Sequence, residues 1–177
     1  MRFLIKICSS VVLMLLCINA HADEHFPFTA KVTRPAVNIR AGSNTNFEKI
    51  DQLKENDTVI VLARQFDWFK IQLPKTAKAY MRSDYLKMHD GLVAEIIGDK
   101  VHVRAKPDAE SSTLGLLTQG TLVNVIEVTQ GWAKLVPGAG MSGWVHQDFI
   151  SKTSDSADPS LIYQPISPSP QPVTSSP

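Results

Sequence analysis

Displacing the chain by 64 residues lays residues 30–86 onto residues 94–150 without a gap. Val37-Asn38-Ile39-Arg40-Ala41 falls on Val101-His102-Val103-Arg104-Ala105. Trp68-Phe69-Lys70-Ile71 falls on Trp132-Ala133-Lys134-Leu135, and Tyr80-Met81 on Trp144-Val145. Chance does not hold a Trp, an Arg and the apolar pattern in one register, so the chain is an internal duplication. The duplication limits the fold, because whatever one copy makes is made twice. Residues 87–93 join the copies, and so short a joint predicts units that touch.

Within a copy the apolar period is two. Val37, Ile39 and Ala41 alternate with Asn38 and Arg40, and Phe69, Ile71 and Leu73 alternate with Trp68, Lys70 and Gln72. Residues 58–63 and 122–128 are β-branched runs, and turn-forming groups such as Gly42-Ser43-Asn44, Glu55-Asn56-Asp57 and Gln130-Gly131 separate the runs. Short strands at this spacing predict an all-β barrel or sandwich. A copy of roughly 57 residues buries only about 60% of its unfolded surface. A small closed barrel suits that size, since closure removes unpaired edges.

Residues 1–22 read as an export signal. Arg2 and Lys6 precede an apolar stretch over 7–18, and Ala20-His21-Ala22 supplies the small residues of a cleavage site, predicting a mature start at Asp23. The stretch is shorter than the roughly 20 residues that span a bilayer. The alternatives are a retained anchor or lipidation at Cys17. After cleavage no segment is long and apolar enough to span a membrane, and the protein is expected to be periplasmic or extracellular. Cleavage removes two of the 18 basic residues and none of the 17 acidic ones, so the net charge passes from +1 to −1. That balance excludes a general electrostatic nucleic-acid binder. Both cysteines, Cys8 and Cys17, lie in the signal, leaving no thiol and no disulfide in the mature chain. Residues 23–29 lead in to the first copy. Residues 151–177 hold six of the 11 prolines, eight serines and no glycine. This composition predicts a disordered tail, extended over 165–172.

The order Val-x-Val/Ile-Arg-Ala, Ile/Leu-x-x-Leu, an apolar strand, Trp-x-Lys-Ile/Leu, then Gly-Trp-Val and Asp-Phe-Ile resembles the bacterial SH3 (SH3b) domain. Residues 101–105, 131–135 and 143–150 carry the pattern, as do 37–42. In the first copy Asp67 replaces the Gly before Trp68, and Ala79-Tyr80-Met81 replaces Gly-Trp-Val. The resemblance implies two tandem small SH3-like β-barrels, over 30–86 and 94–150. It also implies a non-enzymatic module of exported proteins, with peptidoglycan or its peptides among the ligands. Fold alone does not choose between a wall binder and an adaptor docking an envelope protein.

The residues offer little chemistry. The mature chain has no Cys nucleophile, and His25, His89, His102 and His146 are scattered without metal-ligand spacing. No nucleophile-elbow sequence or glycine-rich phosphate loop is present, so neither metal nor cofactor is expected. Asp84 and Asp148, the matched acidic pair, read as caps of short turns rather than as paired catalytic carboxylates. Arg40 and Arg104 can bridge loop carbonyls or capture a ligand carboxylate. Trp68 and Trp132 share the outer strand face with Lys70 and Lys134, where an indole can stack on a peptide or sugar or cover a neighbouring loop. Tyr80 and Trp144 fit barrel packing and stand as further candidate contacts. Because the second copy keeps the family pattern more fully, binding is expected to centre on Trp132.

Overall fold

The computed structural model describes residues 24–89 and 91–163. The expected export signal over 1–22 with its expected cleavage site, and the Pro-rich stretch 165–172, lie outside the described residues. Among the described residues the regular structure is fourteen strands and two 3-10 turns. The first copy contributes β1 (Phe28–Val32), β2 (Val37–Arg40), β3 (Lys49–Leu53), β4 (Thr58–Gln65), β5 (Trp68–Gln72), β6 (Ala79–Arg82) and β7 (Leu86–Met88). The second contributes β8 (Val93–Ile96), β9 (Val101–Arg104), β10 (Thr113–Leu117), β11 (Leu122–Thr129), β12 (Trp132–Leu135), β13 (Ser142–His146) and β14 (Ile150–Ser154). The period of two holds: Val37 and Ile39 are buried between half-exposed Asn38 and Arg40, and Phe69 and Ile71 are buried between half-exposed Trp68, Lys70 and Gln72.

The fold is all-β, with two SH3-like barrels, but the barrels do not coincide with the copies. One seven-stranded sheet runs β14-β1-β4-β5-β13-β2-β3, the other β10-β9-β6-β12-β11-β8-β7. The first copy therefore gives β1–β5 to the first barrel and β6–β7 to the second. The second copy gives β8–β12 to the second barrel and β13–β14 to the first. β13 lies between β5 and β2, with Trp68 opposite His146 and Lys70 opposite Trp144. β6 lies between β12 and β9, with Trp132 opposite Arg82 and Lys134 opposite Tyr80. The expectation that each copy closes its own barrel is thus corrected: the copies exchange their last two strands.

The exchange is made by the segments over 73–78 and 136–141, which cross rather than fold back as hairpins. They meet where Leu73 N donates to Met141 O at 3.3 Å. Ala77 and Met141, equivalent under the 64-residue shift, are both buried, so each crossing segment carries an apolar side chain inward. The buried apolar residues of both barrels form one continuous cluster. Burial on this scale, with alternation fixing which face is apolar, holds the sheets together.

The tail expectation is also corrected in part. Residues 150–154 are a strand, β14, pairing with β1 from Val32 opposite Ile150 to Thr29 opposite Ser154. Beyond it, Thr29 Oγ1 donates to Ser156 O at 2.8 Å and accepts from Asp158 N at 2.8 Å. Gln72 Nε2 donates to Leu161 O at 2.6 Å, and the Tyr163 hydroxyl donates to Leu73 O. Burial pushes the Tyr163 phenol up to about 12. A polar composition predicts disorder only where no edge is on offer. Here β1 presents one, and the main chain of 150–154 fills it whatever its side chains.

Candidate functional site

The eight residues proposed from sequence as ligand contacts fall into two clusters of four, each built from both copies. Across β2, β13 and β5 of the first barrel runs the row Arg40, Trp144, Lys70, with Trp68 beside it. Across β9, β6 and β12 of the second runs Arg104, Tyr80, Lys134, with Trp132 beside it. Trp144 therefore stands with Trp68 and Lys70, not with Trp132. The sequence could not show this, because the partner of β13 is set by the exchange. All eight side chains are half-exposed.

Trp68 and Trp132 are each covered by the last residue of the strand received from the other copy. His146 meets Trp68 edge-on, with centroids 5.3 Å apart and planes at 84°. The Arg82 guanidinium sits over Trp132 at 5.7 Å from the ring centroid, within cation–π range. Arg82 and His146 are equivalent positions, so the same place is filled by two chemistries. Asp67, which stands where the second copy has Gly131, accepts Gln147 Nε2 at 3.2 Å. Gly131 has φ of +78°, and an added Cβ would come within 3.1 Å of Arg82 Nη1. Gly131 thus takes left-handed backbone beside the Arg82 guanidinium, where the first copy has Asp67.

Arg40 Nη1 donates to Thr45 O and Phe47 O, both at 2.8 Å, and Arg104 Nη1 donates to Ser111 O at 2.6 Å. Both guanidiniums anchor the loop that follows their strand. The turn-cap reading of the matched acids is corrected. The cap of the 3-10 turn Gln147–Phe149 is His146, whose Nδ1 accepts from Asp148 N at 3.4 Å. Asp84 instead pairs with Arg82 at 2.5 Å.

A difference between the rows lies one strand further on. Lys134 is opposite Glu127 on β11, and Lys134 Nζ is 3.5 Å from Glu127 Oε1. The equivalent residue opposite Lys70 is Ala63 on β4. Lys70 has no ion-pair partner among the described residues. Residue 63 was legible in principle, since the tight turn between β4 and β5 fixes which residue faces Lys70.

Two cavities adjoin these elements. One, of about 340 Å³, is bounded by Lys70, Trp144, Ser142 and the main chain of β10 around Gly115. The other, of about 1250 Å³, lies between the barrels. Its walls pair equivalent positions of the two copies, such as Val59 with Val123 and Thr58 with Leu122, and Leu161 and Tyr163 form one side. Sequence reasoning missed this cleft and the part played in it by Tyr163. Among the described residues no three His, Cys, Asp or Glu side chains gather as a metal site, and no helix is long and apolar enough to cross a membrane.

The model of the bacterial SH3 domain matches residues 35–87 and again residues 99–151. The chain belongs to the bacterial SH3 domain family. Each match of this bacterial SH3 protein runs through the crossing segment, so one linear family pattern is divided between two barrels. Over 143 residues the chain is 24% identical to YrvJ of Bacillus subtilis (strain 168), named as a putative N-acetylmuramoyl-L-alanine amidase. That stretch is 73% of this chain and 27% of the relative, so the chain spans about a quarter of that protein's length. Among solved structures, NlpC2 from Trichomonas vaginalis is 10% identical with a TM-score of 0.22, over 71% of this chain and 48% of that one. NlpC1 from the same organism is 11% identical with a TM-score of 0.23, over 75% and 48%. Likenesses this slight carry no argument about the site.

Proposed function

We propose that this chain is an exported, non-catalytic protein that binds the bacterial cell wall through peptidoglycan or its peptides. The observation that carries the reading is the pair of cation–aromatic–cation rows, Arg40-Trp144-Lys70 and Arg104-Tyr80-Lys134, on the outer faces of two bacterial SH3 barrels. A half-exposed ring offers an apolar face to a sugar or a small side chain, and the flanking cations suit the carboxylates of wall peptides. The relative whose name makes it a wall amidase supports the wall as the target. Its named activity is not carried over, because the shared stretch is a minor part of that protein.

Co-sedimentation with purified sacculi tests the reading. The mature protein is expected in the pellet. Trp144→Ala should weaken pelleting by roughly tenfold, the equivalent of about 1–2 kcal/mol for one aromatic anchor, with circular dichroism unchanged. A wild-type protein that stays in the supernatant would sink the wall reading and bring forward the alternative, an adaptor for an envelope protein.

A further inference from the structure

The 340 Å³ pocket beside Trp144 differs from its surroundings in three ways that point to one ligand. Its size is at the lower end of ligand pockets, roughly 300–1,000 Å³, which suits the end of a peptide rather than a whole chain. Its one cation, Lys70, is uncompensated. The same cation in the other barrel is balanced by Glu127, and the position that would supply that carboxylate is Ala63. Its far wall is β10, the end strand of its sheet, which among the described residues pairs only with β9. Ser142 Oγ donates to Leu114 O there at 3.3 Å, and among the described residues β10 has no strand partner on that side.

We propose that this pocket binds the free-carboxylate end of a wall stem peptide, an assignment that rests on the wall-binding reading above. The Lys70 ammonium holds the carboxylate, the Trp144 indole packs on a small apolar side chain, and the β10 edge takes main-chain hydrogen bonds as an added strand does. The site is single. The second barrel presents Tyr80 and an already neutralised Lys134 at the equivalent place. It is also composite, with Lys70 coming from the first copy, Trp144 from the second, and the β10 wall from the other barrel.

The test is calorimetric titration of the full mature chain with N-acetyl-Lys-D-Ala-D-Ala and with its C-terminal amide. The acid is expected to bind about fivefold more tightly than the amide, the contribution of one partly exposed charge pair. Ala63→Glu copies the Glu127–Lys134 pair into the first barrel at a half-exposed position, and should abolish the preference for the acid while leaving the melting temperature unchanged. Lys70→Met should do the same. Equal binding of acid and amide, no binding of either, or an Ala63→Glu protein that keeps the preference overturns the proposal. Sacculus pelleting keeps the two readings apart. If Ala63→Glu and Lys70→Met pellet like the wild type, the pocket assignment fails and wall binding stands. If the wild type does not pellet, the wall reading itself fails.

Discussion

Glu48 and Ser112 occupy the same place in the two copies, and they bind each other. Ser112 Oγ donates to Glu48 Oε2 at 2.5 Å, and Ser112 N donates to Oε1 at 3.2 Å. A position that touches its own equivalent lies on a local twofold axis, as in the self-complementary interface of a twofold dimer. The inter-barrel cleft, walled by equivalent pairs such as Val59 and Val123, obeys the same symmetry. The chain is thus built like a strand-exchanged dimer whose two subunits are one polypeptide.

That contact makes stability depend on pH at the acid end. The Ser112 hydroxyl holds the Glu48 carboxyl below the ordinary carboxylate range. A carboxyl depressed in the folded state stabilises the fold above its unfolded pKa, and the stabilisation is lost as pH falls through the folded value. Ser112→Ala should therefore lower stability by about 1 kcal/mol near neutrality, a charge-assisted bond discounted for partial exposure. The gap between wild type and variant should close as pH falls through and below the ordinary carboxylate range. Melting temperatures of both proteins across that range check it, and a gap that persists at low pH rules out the carboxylate as its source.

The strands, their buried faces and the duplication were all legible in the sequence, because a period of two states directly which side chains go inward. The partner of each strand was not. Gly143-Trp144-Val145 reads the same whether β13 closes the second barrel or the first, since alternation fixes a face and says nothing about which sheet presents the neighbouring edge. The candidate residues are consequently legible one by one but not as groups: a domain closed over 94–150 would hold both Trp132 and Trp144, whereas Trp144 lies beside Lys70. The segment over 150–163 was missed for a related reason. Its contacts are largely main-chain, and composition does not report them.

β14 makes a second prediction possible. Removing residues 150–177 takes away the strand paired with β1, the hydrogen bond from Thr153 Oγ1 to Thr29 O, and the Lys152 ammonium 4.8 Å from the Phe28 ring centroid. It also exposes the edge of a strand whose Phe28, Ala30 and Val32 are core. The loss should be about 2 kcal/mol or more, several degrees in Tm. Thermal melts of the truncated and intact mature chains decide the matter, and equal melting temperatures would show that β14 contributes nothing.

At the alkaline end Tyr163 reports on the cleft. Its phenol is pushed up to about 12 by burial, and its hydroxyl donates to Leu73 O. A group whose folded pKa is raised contributes stability that is present below its unfolded pKa of about 10 and is lost as pH rises through the folded value. Residues 160–163 should leave the cleft between about pH 10 and pH 12. Ultraviolet titration of Tyr163→Phe against wild type should isolate one phenol ionising near the upper end of that range. A difference curve centred at the ordinary tyrosine value would place Tyr163 in water.

The last prediction concerns why the strands are exchanged. Gly143 enters the first barrel, where an added Cβ would lie 2.5 Å from Ile39 Cγ2 and 3.0 Å from both Ile50 Cδ1 and Leu73 Cδ2. Its equivalent, Ala79, enters the second barrel, where the residue equivalent to Ile39 is the smaller Val103, and is fully buried there. Were the copies to close on themselves, Ala79 would bring its methyl group to the barrel that carries Ile39, the place where there is no room for it. The pairing of Ala79 with Val103 and of Gly143 with Ile39 therefore favours exchange over self-closure. Gly143→Ala should destabilise the protein by about 1–3 kcal/mol, the usual cost of overpacking a core. Adding Ile39→Val should recover part of that loss, although Ile→Val alone costs about 0.5–1.5 kcal/mol in a core. Denaturant unfolding of both single variants and the double variant measures the coupling. Strict additivity would show that Gly143 and Ile39 do not constrain each other, and would leave the choice of partner to the crossing segments alone.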